Sequence, residues 1–378
     1  MKLRRIRALA VKELLQVMRD PRSLMLALAM PIMQLFLLGY GVNLDISHVP
    51  VCVYDQEGSQ FSQSLFKHVQ ASPYFRIVRD LHNDREIRQV MDDGTCRMAL
   101  VVPADFSRQI MLERHASVQA IVDATDDNTA TLATAYADAV VAGFSSDVQL
   151  NLVERTTGMP LLPAPVAEQS RVWFNEDLES RNFIIPGVVA LVLALVGAQL
   201  TSLTIAREWE RGTMELLIST PVTPMELLFG KLLPYFFIGM VDALICLVVA
   251  VFWFGVPFRG ELSALLFTTS LFLVVVLSVG YFVSVAIPNQ IGASQIALFL
   301  TIMPISLLSG YAFPIDQMPA AIRLITYGIY ARYYVTILKS LFLKGSSLYE
   351  LWLPVLALTG YAVAMAWLAA RAFHKRIG

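Results

Sequence analysis

Cysteine is scarce in this chain, and Cys52, Cys96 and Cys246 form neither a CxxC pair nor a spacing that would hold a metal. A zinc-stapled or thioredoxin-like module is thereby excluded. Cys52 and Cys96 share one polar region and could pair if it faces an oxidising compartment; the expectation is two small buried thiols. Charge is scarce too. Only 16% of residues are Asp, Glu, Lys or Arg against 56% hydrophobic, more apolar material than a soluble domain can hide. Lys and Arg flank apolar runs and form no basic stripe with interleaved aromatics, so no nucleic-acid partner is expected. His48, His68, His82 and His115 are scattered without an HExxH pattern, and no GxSxG or Ser/Lys constellation occurs. Asp123, Asp126 and Asp127 lack the glycine and closing glutamate of an EF-hand and are read as helix caps. No catalytic residue, metal or cofactor is expected on this chain, which is therefore not read as an enzyme.

Long uncharged stretches are what the sequence has in abundance. A helix needs about 20 apolar residues to cross the hydrocarbon core, because lipid offers backbone groups no hydrogen bonds. Such runs lie between Arg22 and Asp45, between Arg181 and Arg207, from Leu232 to Phe258, and between Glu350 and Arg371. A longer one, between Glu261 and Asp316, is divided by Pro288-Asn289-Gln290 into two spans. The expected fold is a polytopic α-helical membrane protein of six transmembrane helices. Lys2, Arg4, Arg5, Arg7, Lys12, Arg19 and Arg22 precede the first span. Arg207, Arg211 and Lys231 lie between the second and third, and Arg371, Lys375 and Arg376 end the last. That bias of positive charge puts both termini in the cytoplasm.

Residues 1–22 repeat apolar side chains at Leu3, Ile6, Ala10, Leu14 and Val17 among basic ones, the pattern of an amphipathic helix on the inner membrane surface. Pro21 marks the bend into the first span, residues 23–44. Residues 45–181 form one polar insertion, read as an extracytoplasmic α/β domain. There β-type runs, Val51–Tyr54, Met98–Val102 and Val118–Val122, alternate with helical stretches. Its longest helix is expected from Asn128 to near Arg155, capped by Asp126 or Asp127 and ended by Pro160, Pro163 and Pro165. Residues 182–378 carry the remaining five spans.

The loop of residues 206–231, AREWERGTMELLISTPVTPMELLFGK, is charge-dense and short. It is expected to begin as one helix bearing Arg207, Glu208, Glu210, Arg211 and Glu215, followed by a turn at Pro221 and Pro224. A mixed-sign helix fixed between two spans is a handle that a soluble motor could grip. Gly230-Lys231 lacks the upstream glycine and following hydroxyl of a Walker A loop, so ATP and Mg would be bound on a partner polypeptide.

Four stretches together resemble the ABC-2 family of exporter permeases. They are KELLQVMRDPRS with Pro31 in the first span, EWERGTMELLISTPV running to Gly230-Lys231, SGYAFPIDQMP after the fifth span, and RYYVTILKSLFLKG before the sixth. Their order and spacing cover nearly the whole chain, and the large insertion resembles the bacterial drug-efflux subgroup. The resemblance implies a permease subunit in the bacterial inner membrane, moving an amphipathic or drug-like cargo. Its implied partners are a cytoplasmic ABC ATPase subunit, a second permease subunit (identical or a sister) and membrane lipid. It further implies ATPase coupling through Arg207, Glu208, Glu210, Arg211, Thr213 and Glu215. Residues 310–349 would form an outer re-entrant gate containing Gly310, Phe313, Pro314, Met318 and Pro319. One departure is Tyr330, which stands where relatives usually carry proline.

Asp242 lies about 16 Å beyond Lys231 along a helix, near the middle of a span. Two readings stay open: a cavity-facing functional carboxylate, or a neutral carboxyl hydrogen-bonded to a neighbouring helix. An ion-coupled secondary transporter using Asp242, or a membrane sensor with an external ligand-binding domain, are the alternatives to an ATP-driven exporter.

Overall fold

Helices dominate, and their limits follow the uncharged runs. The computed structural model describes residues 3–21, 25–41, 48–112, 116–157 and 179–372. The expected boundary residues Lys2, Arg22 and Asp45, together with His115, Pro160, Pro163, Pro165, Lys375 and Arg376, lie outside the described residues. The chain divides into two compact units, Leu44–Ser170 and the combination of Met1–Asn43 with Arg171–Gly378.

The chain enters the second of these through α1 (Leu3–Arg19), whose inward side buries Glu13 and Val17. A π-helical turn (Met25–Ala29) leads into α2 (Met30–Gly41).

Leu44–Ser170 contains β1 (Val49–Asp55), α3 (Gln60–Ala71), β2 (Phe75–Leu81), α4 (Asp84–Asp92), β3 (Met98–Val102), α5 (Phe106–Met111), β4 (Gln119–Val122) and α6 (Asp127–Thr157). The sheet order is β2-β1-β3-β4; β1 pairs parallel with β2 and β3, and β4 runs antiparallel to β3. Successive side chains of a strand point to opposite faces, and β1 uses both. Val49, Val51 and Val53 pack with Val69 of α3 and Ala133 and Ala137 of α6. Cys52 packs on the other side with Ile87 and Val90 of α4. Asp126 is the residue before α6 and accepts the Thr129 hydroxyl, whereas Asp123 receives Thr125 N–H at 3.0 Å and the Arg97 guanidinium. Of the three acids read as helix caps, Asp126 serves a helix start, whereas Asp123 closes an Asx turn.

Two features of this unit differ from the sequence reading. Strand β2 was not anticipated, because Arg76, Arg79 and Asp80 interrupt its apolar run; as an edge strand it leaves them exposed. Cys52 and Cys96 are disulfide-bonded, with their Cα atoms 5.8 Å apart, where two free thiols were expected. Cys52 lies in β1 and Cys96 just before its parallel neighbour β3, so strand pairing itself brings the thiols together.

The membrane-type unit resumes with α7 (Ser180–Glu210), followed by the short α8 (Met214–Ser219), α9 (Pro224–Val248, extended by a π-helical turn to Trp253), α10 (Leu262–Ala286) and α11 (Gln290–Leu308). Then come a 3-10 turn (Ile315–Gln317), α12 (Ala320–Thr326), α13 (Tyr330–Lys339, continued by a π-helical turn to Lys344) and α14 (Trp352–Ala372). Among the described residues five helices are long and apolar enough to cross a membrane: α7, α9 with its π extension, α10, α11 and α14. The first expected span is present as a shorter apolar helix, Ala27–Gly41.

Helix α7 is the hub, buried almost along its length and packed by α2, α9, α10, α11 and α13. A Cβ on Gly280 of α10 would fall 2.5 Å from the Ala198 carbonyl oxygen, so only glycine permits this approach. There Ser284 Oγ accepts the backbone N–H groups of Ile205 (2.8 Å) and Ala206 (3.0 Å), a polar cross-link inside an apolar bundle. Local signals set the helix starts. Thr223 and Glu226 form a reciprocal capping box with Pro224 at the first position of α9. Asn289 caps α11 by accepting Ile291 and Gly292 N–H, at the expected break.

Replacing both Cys52 and Cys96 by alanine should destabilise the Leu44–Ser170 unit by about 4 kcal/mol, the loop-closure value for a loop of this length. Faster hydrogen exchange in β1 and β3 would report it. A second expectation concerns His68, whose ring nitrogens meet the Ser64 carbonyl (2.9 Å) and Asp147 (3.0 Å). The backbone hydrogen bond first, and then Asp147, raise its pKa above the ordinary histidine value. Its contribution to stability is therefore full below the unfolded pKa and lost as pH rises through the higher folded value. Exchange protection of α3 and α6 should decline over that window, and His68→Ala should remove the pH dependence.

Candidate functional site

Lys231 is 1% exposed, an uncommon position for an ammonium group, and its surroundings define the first site. Its Nζ donates to Glu13 of α1, to Glu208 of α7 at 3.1 Å and to the Thr204 carbonyl at 3.3 Å. The same Glu208 oxygen accepts Lys12 Nζ at 2.7 Å, while its other oxygen takes the Thr213 hydroxyl. Tyr235, one turn further along α9, donates its hydroxyl to Glu13 at 3.3 Å. Two ammonium and two carboxylate groups thus cancel in a closed network joining α1, the end of α7 and the start of α9. Around it, Arg207 pairs with Asp20 at 3.7 Å and Arg5 with Glu226 at 3.5 Å. Removing one partner from such a network strands the other charge in a poorly hydrated place, at about 3–5 kcal/mol.

The loop beyond the network is not the continuous Arg207–Glu215 helix expected from its charges. Helix α7 stops at Glu210 and Gly212 adopts φ +66, a left-handed value that suits glycine. Thr213 N–H bonds to the Glu208 carbonyl (3.0 Å) and Gly212 N–H to that of Trp209 (3.1 Å), the paired bonds of a Schellman stop. The six-residue α8 follows, held by buried Met214.

This break sorts the six expected coupling residues. Arg207 and Glu208 are buried in ion pairs, and Thr213 is half-buried against Glu208. Glu210 is exposed but accepts both the backbone N–H (2.7 Å) and the side-chain amide of Gln290, tying the loop to α11. Arg211 and Glu215 face outward, accompanied by Trp209 and by Leu216, which is 69% exposed. Glu13, Lys12 and Tyr235 were missed. The signal for Glu13 was its place four residues before buried Val17, on the apolar side of α1.

The second group of expected residues lies between α11 and α13. Gly310 turns the chain at φ +80, Phe313 is exposed, Pro314 precedes the 3-10 turn, and Met318 and Pro319 lead into α12. Arg323 donates to the Asp316 (2.7 Å) and Met318 (3.3 Å) carbonyls, pinning that bend. Lys339, which sequence reasoning did not single out, reaches back from α13 to the Gly310 carbonyl at 2.7 Å and lies 3.1 Å from the centroid of the Phe183 ring. Tyr330 occupies the first position of α13, where proline would also be tolerated. Its ring packs near Phe272 of α10.

Asp242 is 1% exposed on α9, and neither carboxylate oxygen has a hydrogen-bond partner. The reading in which a neighbouring helix bonds it finds no support among the described residues. No group of acidic, histidine or cysteine side chains there is arranged to hold a metal.

Residues 23–371 match the family described as ABC-2 family transporter protein. The chain is 42% identical to "Probable multidrug ABC transporter permease YbhS" of Escherichia coli K12, covering 97% of this chain and 96% of that protein. It is 28% identical to "Probable multidrug ABC transporter permease YbhR" of the same strain, over 94% and 95% of the two chains. "Inner membrane transport permease YhhJ" matches at 24% over 100% of this chain and 98% of its own length. A family match over most of the length, joined to five long apolar helices and a near-full-length relative, leaves one conclusion: this chain belongs to the ABC-2 family of transporter proteins.

Proposed function

We propose that this chain is the membrane-spanning permease subunit of an ATP-driven exporter whose ATP hydrolysis takes place on a separate cytoplasmic subunit. The observation that carries the coupling part is the Lys231 network, on which the exposed surface of Trp209, Arg211, Glu215 and Leu216 is mounted. A partner gripping that surface would move the end of α7, and through Glu208 and Lys231 would move α1 and α9 with it. Short Ala27–Gly41 would be the first of six spans, with both termini cytoplasmic and residues 45–181 extracytoplasmic. The Cys52–Cys96 bond supports that side assignment, since disulfides persist in oxidising compartments. Residues 310–349 would be the outer gate. The names of the relatives speak of multidrug permeases, and on that basis an amphipathic or drug-like cargo is proposed. A second permease, a copy of this chain or a sister, would complete the translocation path in the inner membrane.

One observation favours a second reading, ion-coupled transport: Asp242 is buried and unpartnered. Transport that persists when the ATPase partner is made hydrolysis-dead would establish it, and Asp242→Asn would then stop transport.

The docking surface is tested with Arg211→Glu combined with Glu215→Lys. Retention of the ATPase in pull-down should fall at least about tenfold, while the permease itself remains folded and membrane-inserted. Unchanged retention would remove this loop from the interface. Lys231→Met should behave differently, lowering the thermal stability of the purified permease by about 3–5 kcal/mol. Glu13→Gln added to Lys231→Met should recover part of that loss. At the gate, Lys339→Met removes a charge-assisted hydrogen bond worth about 1.5–3 kcal/mol. It should reduce transport about tenfold with ATPase retention intact.

A further inference from the structure

An apolar groove of about 580 Å³ runs between α1 and α9. Leu3, Val11 and Leu14 form one wall and Leu233, Phe237 and Val241 the other. Beside it the two helices pack closely, and a Cβ on Gly230 would lie 2.6 Å from Leu9 Cβ. The groove offers no polar partners that would hold ordered water along its length. Its single charged lining residue is Arg7.

Helix α1 therefore has two unlike sides. Its one glutamate, Glu13, is turned inward to Lys231, whereas the outward side carries Leu3, Val11, Leu14 and Met18 exposed, with Arg4 and Arg7 at the N-terminal end. Neither arginine has an acidic partner among the described residues. Positive charge without a counter-charge on the rim of an open apolar channel matches a molecule with an anionic head and a long hydrocarbon tail. The α9 wall belongs to a helix apolar enough to span a bilayer, so hydrocarbon chains are its ordinary neighbours.

We propose that this groove is a binding site for an anionic phospholipid, with an acyl chain lying between α1 and α9 and the phosphate held by Arg7 and Arg4. The bound chain fills the gap between α1 and α9 beside the Lys231 network, so it steadies the helix that supplies Glu13 and Lys12. Lipid composition thereby tunes how firmly the cytoplasmic loop is mounted.

The test uses the intact permease purified in detergent and native mass spectrometry, titrating phosphatidylglycerol against phosphatidylcholine of identical chains. Parent protein should retain one phosphatidylglycerol about tenfold more tightly than phosphatidylcholine. Arg7→Glu with Arg4→Glu should abolish the preference, and Val241→Trp should weaken binding of both lipids. Phe282→Trp, at another exposed apolar position, should change neither. If Val241→Trp fails to fold, Val241→Ser supplies the same comparison by making the wall polar. Equal retention of the two lipids by the parent, or unchanged retention in the arginine and Val241 variants, overturns the proposal. So does displacement of the lipid by glycerol phosphate alone, which would mean a headgroup site without a chain, or by a lipophilic amine of cargo type. None of these readouts involves transport or ATP, so they are independent of the exporter reading.

Discussion

A buried ammonium group must find its counter-charges within the protein, and in this molecule that requirement fixes the geometry of one whole end of the helical unit. Lys231 is too deep for water to serve it, so Glu13 and Glu208, more than 190 residues apart in sequence, must converge on it. Their convergence brings the N-terminal helix, the last turn of α7 and the first turns of α9 into one rigid corner. Such networks contribute little net stability compared with hydrophobic packing, because desolvation offsets most of the Coulombic gain. Their strength lies in specifying register: a slip of α1 by one residue would carry Glu13 away from Lys231.

That corner explains why charge density in the following loop does not translate directly into a docking surface. The carboxylate and guanidinium nearest the bundle are consumed in holding it together, and the glycine stop then redirects the chain so that only the later charges face outward. The outgoing surface combines charge with Trp209 and Leu216, the mixture found at the centre and rim of specific interfaces. Glu210 adds a second tether by binding the start of α11, so the loop is braced from two sides.

Five long apolar helices were legible because lipid imposes a simple rule, about twenty residues without charge. The Pro288-Asn289-Gln290 break was legible because a capping asparagine and a proline leave a local signature. Reading failed where a residue's meaning depends on a distant partner. Glu13 looks like an ordinary polar residue until Lys231 is placed beside it. Strand β2 looks like loop because an edge position tolerates Arg76, Arg79 and Asp80. The loop's dense charge suggests one continuous helix, but glycine after a helix signals a left-handed turn, and Gly212 adopts it. For Cys52 and Cys96, spacing alone carried no information about pairing; the parallel alignment of β1 and β3 did.

The Cys52–Cys96 bond also bears on how the protein can be made. Both sulfurs are fully buried between β1 and α4, so oxidant must reach them before the sheet and that helix close. Synthesis in a thiol-rich lysate would trap reduced side chains inside a finished core, beyond the reach of later air oxidation. Recombinant production for structural or transport work thus calls for co-translational oxidising conditions, and a batch in which thiols beyond that of free Cys246 can be alkylated after denaturation marks material assembled along the wrong route.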